Sequence, residues 1–360
     1  MNANDWLDIV TGKNRDWYAS LARLGLDMAS VPYGIVTELR NRAYSMGVVP
    51  VRGVSAPVIS IGNLTVGGTG KTPTVAWMVH QLQELGMRPG ILSRGYRSLN
   101  DEENDEKRLL DCLCPGVPHI QQPDRFAGAM KLLSETTANV IVLDDGFQHR
   151  RLHRDLDLVL IDSLQPWGLN YLLPRGMLRE RAAGLSRADL ILLTRSQLVS
   201  EGMIQKLRKQ IARWTPAPVL RTRFEPTGLI DGAGNRFPLE VLQERVPYAF
   251  CGIGNPDGFR ATLQPFVSLP PERFQAFPDH FHYNSFDLLR LQKQAQQQGA
   301  DVLLTTRKDL VKVPVPGQGA MPCWGLEIEL VFEDDPVELL RLLRVVLPTP
   351  EICTPQSAQL

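Results

Sequence analysis

The stretch "ISIGNLTVGGTGKTPTVAWMVHQL", residues 59–82, begins as an apolar strand, turns to glycine and ends as an amphipathic helix. The glycines allow tight backbone turns and close approach of a ligand. The strict nucleotide-loop pattern G-x-x-x-x-G-K-[ST] would place its first glycine at Thr65. Here Gly62, Gly67, Gly68 and Gly70 supply the flexibility in another arrangement. The physical roles survive the change. Backbone N–H groups of Gly67, Gly68, Thr69 and Gly70 at a helix start cradle phosphate, Lys71 neutralises it, and Thr72 can hold magnesium. Pro73 sits in the first helical turn, where its missing N–H is tolerated. An ordinary glycine-rich turn is the bland alternative; the strand before and the helix after favour phosphate binding.

A second apolar strand, "VIVLDDGFQHRRL" (140–152), delivers Asp144 and Asp145 to the sheet edge where a carboxylate meets magnesium. Two adjacent carboxylates there are costly unless a cation neutralises them. The dimerising ATPase switches carry an extra lysine, K-G-G-x-G-K-[ST]. Val66 occupies that position here, which disfavours them.

Around these motifs, strands at 57–62, 89–94, 139–145, 156–162 and 188–194 are separated by helical stretches such as 72–86 and 125–135. Near-continuous apolar strands joined by helices predict a parallel sheet buried on both faces. The 222–247 stretch is shorter-paced and turn-rich, with a hairpin turn at 232–235. Alternation resumes at 246–254, with a helix near 284–298, a strand at 300–306 and a last helix at 335–346. With 360 residues, the chain has room for two cores. The expected division is N-terminal helices at 1–50, a P-loop core at 51–221, a β linker at 222–247, a smaller α/β domain at 248–348 and a tail at 349–360.

The 39 basic and 39 acidic residues balance, so no clustered excess of positive charge points to a nucleic acid. The five cysteines form no C-x-x-C pair and read as reduced thiols. Trp17, Leu21, Leu24 and Met28 line one helical face. Pro32 is expected to end that helix, and Val36, Leu39, Ala43 and Met46 to line a second. These helices either pack on the body or dip an apolar face into a bilayer surface.

The motifs "GNLTVGGTGKTP" (62–73), "SRGY" (93–96), "DDGFQHRRL" (144–152) and "LLPRGMLRE" (172–180) together closely resemble the tetraacyldisaccharide 4'-kinase family. "GIGNPDGF" (252–259), "FPDH" (277–280) and "TTRKDLVK" (305–312) extend the resemblance across about 20–345. It implies a P-loop, mostly parallel α/β core joined by a β linker to a second, smaller α/β domain. It implies transfer of the ATP γ-phosphoryl group, with Mg2+, to the 4'-hydroxyl of an acylated glucosamine disaccharide 1-phosphate. The place implied is peripheral, at the cytoplasmic face of the inner membrane, which favours the bilayer reading of the N-terminal helices. No obligate protein partner is expected. A P-loop ATPase or GTPase acting as a conformational switch is the alternative.

Residue by residue, the resemblance makes Asp105, in "ENDEK", the base for the attacking hydroxyl, with His280 of "FPDH" as its partner and Lys71 as the phosphate clamp. Asn104 and Lys107 depart from the family's "GDEP" at this point. Arg179 resembles its phosphate-contacting arginine and Glu180 a second magnesium-binding carboxylate, beside Thr72, Asp144 and Asp145. Arg125 is placed to face the substrate's 1-phosphate or the nucleotide, and Gln148 and His149, which follow the two aspartates, offer donors for phosphate or substrate. Lys308 and Asp309 match a family motif without an assigned role.

Overall fold

The computed structural model describes residues 9–14, 16–95, 105–279, 281–314 and 321–347. Strands β1 (Val58–Asn63), β2 (Pro89–Ser93), β3 (His119–Gln121), β4 (Val140–Asp144), β5 (Leu156–Asp162) and β6 (Leu190–Thr194) pair in parallel in the order β6-β5-β1-β4-β2-β3. Every residue of β1, β2, β4 and β6 is buried, which is why these segments read as unbroken apolar runs. Strand β3 escaped the sequence reading because it is three residues long and polar at both ends.

Helices α1 (Trp17–Ser45), α2 (Lys71–Glu84), α3 (Asp105–Leu113), α4 (Arg125–Glu135) and α5 (Glu201–Ile211) belong to this half. From α2, Val75, Met78, Val79 and Leu82 pack on Ile59, Ile61 and Val142 of the sheet. That packing fixes the start of α2 beside the C-terminal ends of β1 and β4, where ligands of parallel sheets bind.

The second half contains β7 (Val219–Asp231), β8 (Arg236–Phe237), β9 (Pro247–Cys251), α6 (Pro256–Leu263), β10 (Phe274–Ala276), α7 (Ser285–Gln297), β11 (Val302–Thr306), β12 (Cys323–Phe332) and α8 (Val337–Val346). The expected linker opens as a strand of 13 residues. Residues 219–221 of β7 pair in parallel with β6, and 222–231 pair antiparallel with β12. One 12-stranded sheet therefore runs through both halves. The hairpin turn at 232–235 is present, with Asp231 Oδ1 accepting from the Ala233 and Asn235 amides. The final helix departs from its expected place in the 248–348 domain. Leu339 and Leu343 of α8 are buried with Ile59, Val79 and Leu158 in the core of the first half. Strand β12 runs back toward that core, so the chain returns there before α8 begins.

Two N-terminal helices were expected, broken at Pro32; over this stretch α1 runs unbroken for 29 residues with Pro32 inside it. A proline inside a helix costs about 3 kcal/mol, and here tertiary bonds hold the helix through it. Ser30 Oγ donates to the Leu172 carbonyl at 3.1 Å, and Tyr33 Oη to the Arg179 carbonyl at 2.9 Å. Asp27 pairs with Arg175 at 3.2 Å. Only Ala19 and Gly34 of α1 are buried. The helix therefore docks by its polar and small residues. Trp17, Leu21, Leu24, Met28, Val31, Ile35 and Leu39 face outward, with Trp17 76% and Met28 69% exposed.

Candidate active site

The loop between β1 and α2 adopts a cradle. Gly67 and Gly70 have φ of 112° and 90°, a region that side-chain-bearing residues rarely enter. At Gly70 the phenyl ring of Phe224 also stands where a Cβ would lie, its Cζ only 2.1 Å from that point. No side chain caps the start of α2, so its first N–H groups remain for an anion. Asn63 organises the interior: its Nδ2 donates to Thr69 Oγ1 at 2.9 Å, and its Oδ1 accepts from Lys71 Nζ at 3.4 Å. From β6, Thr194 Oγ1 donates to the Thr69 carbonyl at 3.0 Å. Arg195 donates to the Gly68 carbonyl at 2.8 Å and pairs with Asp162.

Asp144 and Asp145 take opposite electrostatic characters. Asp144 ends β4, in register with Ile61, and is 7% exposed. Burial pushes its carboxyl up to about 7, with Lys71 opposing and Asp145 adding to the rise. Among the described residues its Oδ1 has no hydrogen-bond partner and is buried. A buried, orphaned carboxylate oxygen beside a phosphate cradle fits a magnesium ion, with Thr72 as a second ligand. Among the described residues no group of three or more His, Cys, Asp or Glu side chains could hold a metal by itself. The ion would therefore share its ligands with phosphate and water. Asp145 sits at φ 54°. Burial raises its carboxyl, but Lys71 at 3.5 Å and Arg179 at 2.7 Å outweigh this and hold it below 3.8.

These groups open onto a cleft of about 710 Å³ between the two halves. One wall carries the phosphate loop, Ser93, Glu106, Asp144, Asp145, Arg179 and Arg195. The other carries Ile253, Gly254, Asn255, Asp279, Thr306 and Lys308, and Phe224, Leu326 and Ile328 from the β7–β12 ladder also line it.

The tetraacyldisaccharide-1-P 4'-kinase family model matches residues 22–347 of this chain. The chain belongs to this family. A tetraacyldisaccharide 4'-kinase of Syntrophus aciditrophicus is 36% identical over 353 residues, covering 90% of this chain and 92% of its own. One from Geobacter sulfurreducens is 34% identical, covering 90% and 94%. The crystal structure of LpxK from Aquifex aeolicus in complex with ATP superposes with a TM-score of 0.74 at 30% identity. It covers 91% of this chain and all of the other.

Of the residues matched to the family's motifs, the structure brings Gly67, Gly68, Thr69, Gly70, Lys71, Thr72, Asp144, Asp145 and Arg179 to one cleft. Asp105 begins α3 but does not line the cleft; its neighbour Glu106 does. His280 lies outside the described residues, and Asp279 before it lines the cleft. Glu180, expected in the metal set, is 3% exposed and is not among the residues lining the cleft. Arg187 takes both its oxygens at 2.9 Å, Asn41 donates at 2.8 Å and Gln148 at 3.0 Å. In this arrangement the carboxylate joins α1 to the loop after β4.

Gln148, His149 and Arg125 also stand behind the cleft wall rather than in it. Gln148 Nε2 bonds the Asn63 carbonyl at 2.9 Å, so it braces the loop. His149 is pushed down to about 4 by burial first and then by Arg125, Arg40 and Arg94, which keeps its ring neutral at pH 7. Arg125 is buried at the start of α4, donating to the Gln122 carbonyl at 2.9 Å.

Sequence reasoning passed over Arg195 and Phe224. Arg195 follows the last residue of β6, and the strand-end position was the available signal. Phe224 had none, because its partner Gly70 lies far away in the chain.

Proposed function

We propose that this chain transfers the γ-phosphoryl group of ATP to the 4'-hydroxyl of an acylated glucosamine disaccharide 1-phosphate at a membrane surface. One observation carries the reading: a phosphate cradle, a cation and a metal-seeking carboxylate share a cleft walled on its far side by the second half. Family membership supports the substrate class. The loop amides and Lys71 bind the phosphates, and Arg179 and Lys71 hold Asp145 ionised beside them. Thr72 and Asp144 would hold magnesium, which spreads the charge of the transferring group. The 4'-hydroxyl must lose a proton as it attacks, and the reading assigns this to Asp105 with His280 as its partner. Glu106, which lines the cleft, competes for that role. Enclosure between the two walls keeps out water that would otherwise take the phosphoryl group.

The outward apolar stripe of α1 supports docking on the cytoplasmic face of the inner membrane, with the lipid's acyl chains left in the bilayer. No helix among the described residues is long and apolar enough to cross a membrane.

The test is incubation of the purified chain with γ-labelled ATP, Mg2+ and the disaccharide 1-phosphate in mixed micelles. Label on the lipid's 4' position is expected. ATP hydrolysis without lipid labelling, stimulated by a protein partner, would instead establish the switch alternative.

A further inference from the structure

Ser93, the last residue of β2, is tied into a chain of side chains that no part of the phosphate machinery uses. His119 Nε2 lies 2.9 Å from Ser93 Oγ, and His119 Nδ1 lies 2.9 Å from Asp111 Oδ1. Lys107 holds the other Asp111 oxygen at 2.5 Å. An ionised carboxylate accepts only, so His119 Nδ1 carries its proton and Nε2 is the acceptor. Ser93 must therefore donate its hydroxyl proton to Nε2. Of the two Oγ lone pairs, one takes Gln121 Nε2 at 3.3 Å. Among the described residues nothing takes the other, and both Ser93 and Gln121 line the cleft.

The place of Ser93 indicates which donor. Leu92 pairs with Leu143, so Ser93 stands beside Asp144 on the neighbouring strand. Ile91 and Val142 share one core cluster, and strand alternation turns Ser93 and Asp144 to that same face. In the sheet, β6, with Arg195 on the phosphate loop, lies to one side of β1. Ser93 lies on the other side, beyond the metal-seeking carboxylate. Ser93 thus lies one strand beyond Asp144 along the same cleft, on the side away from Arg195.

We propose that Ser93 binds the acceptor sugar, its Oγ accepting a hydrogen bond from a hydroxyl or amide N–H of that substrate, with His119 and Asp111 as the positioning residues that fix its polarity. This rests on the kinase reading above. Burial lowers His119 below the ordinary imidazole range, Asp111 opposes that and Lys107 adds to it. These α3 side chains and the Ser93 hydroxyl are the groups facing the ring among the described residues. The ring is therefore neutral at pH 7. On protonation in acid, Nε2 becomes a donor to Ser93 Oγ, the serine proton turns into the cleft, and Ser93 no longer accepts from the sugar.

The experiment is steady-state kinetics with ATP and the acceptor varied separately, from pH 5 to 8, on the wild type, Ser93→Ala and His119→Gln. Ser93→Ala should raise the acceptor KM about fivefold to tenfold, the worth of one neutral hydrogen bond, with the ATP KM within about twofold of the wild type. The wild-type acceptor KM should rise as the pH falls and the ring takes its proton, and His119→Gln should abolish that rise. An unchanged acceptor KM in Ser93→Ala, an equal rise for ATP, or a pH dependence that survives in His119→Gln overturns the proposal. If Ser93→Ala does not fold, the comparison of His119→Gln with the wild type decides alone. Failure of the wild type to label any sugar would overturn the kinase reading; normal labelling with silent variants would overturn only this one.

Discussion

Arg179 holds both oxygens of Asp145, with its Nη1 2.7 Å from Oδ1 and 2.7 Å from Oδ2. The carboxylate is thereby kept ionised next to Asp144, whose own carboxyl is pushed the other way. In Arg179→Ala, Lys71 is the cation left to hold Asp145 among the described residues. A carboxyl held low in the folded state contributes stability above its ordinary value of 3.8, lost as pH falls through the folded value. The variant should therefore lose that contribution at a higher pH than the wild type. Its turnover at neutral pH should fall about a hundredfold, the scale of losing one preorganised donor. Thermal melts from pH 3 to 7 and kcat at pH 7.5 check both.

Metal-free protein should show the reverse slope from Asp144. Its folded value of about 7 lies above 3.8, so the folded chain holds a proton that the unfolded chain releases. Stability from this group is full below 3.8 and is lost as pH rises through about 7. Asp144→Asn should flatten that slope and melt several degrees higher than the wild type at pH 8 without magnesium. Binding of Mg2+ with nucleotide at pH 7 should release protons, measured by calorimetry in two buffers, and the release should vanish in Asp144→Asn.

Gly70→Ala meets two obstacles, a φ of 90° and the ring of Phe224. It should destabilise the fold by about 2 kcal/mol or more and abolish ATP binding. Adding Phe224→Ala relieves the clash but not the backbone strain. Urea melts of the double variant should recover part of the stability.

Asp105→Ala and His280→Ala should each lower kcat by about a hundredfold, the range of general-base catalysis, with ATP affinity little changed. Residues acting as one unit are not additive, so the double variant should be little worse than the poorer single one. Multiplicative losses separate the two residues. A silent Asp105→Ala beside a crippled Glu106→Ala moves the base by one position.

Replacing Leu21, Leu24 and Met28 by glutamate leaves the polar docking face of α1 intact. Flotation with anionic vesicles should be lost while the melting temperature holds. If flotation persists, the stripe is not the membrane contact. Deleting the whole helix is a poorer test, because Asn41 is one of the partners of buried Glu180.

What the sequence disclosed follows the range of the forces involved. The phosphate loop, the two aspartates and the strands were legible because each is a local pattern of period, glycine and charge. The partners of Glu180 were not legible, because a carboxylate next to a phosphate-type arginine reads the same whether or not Arg187 and Asn41 hold its oxygens. Pro32 misled because the bonds that carry α1 through it come from Leu172 and Arg179, distant in sequence. The Ser93–His119–Asp111 chain was invisible for the same reason: it joins two strands and a helix at spacings that no short motif records.

The β7–β12 ladder has a mechanical corollary. A clamp usually swings on a pliant joint, but these jaws share a single woven sheet that lines the cleft through Phe224, Leu326 and Ile328. The ladder's register shifts between Glu327 and Ile328, opposite Pro226, a residue with no amide proton to lend to a rung. Any change in the width of the cleft must therefore be taken up by bending this shared sheet, and the irregular rung is where its hydrogen bonding is thinnest.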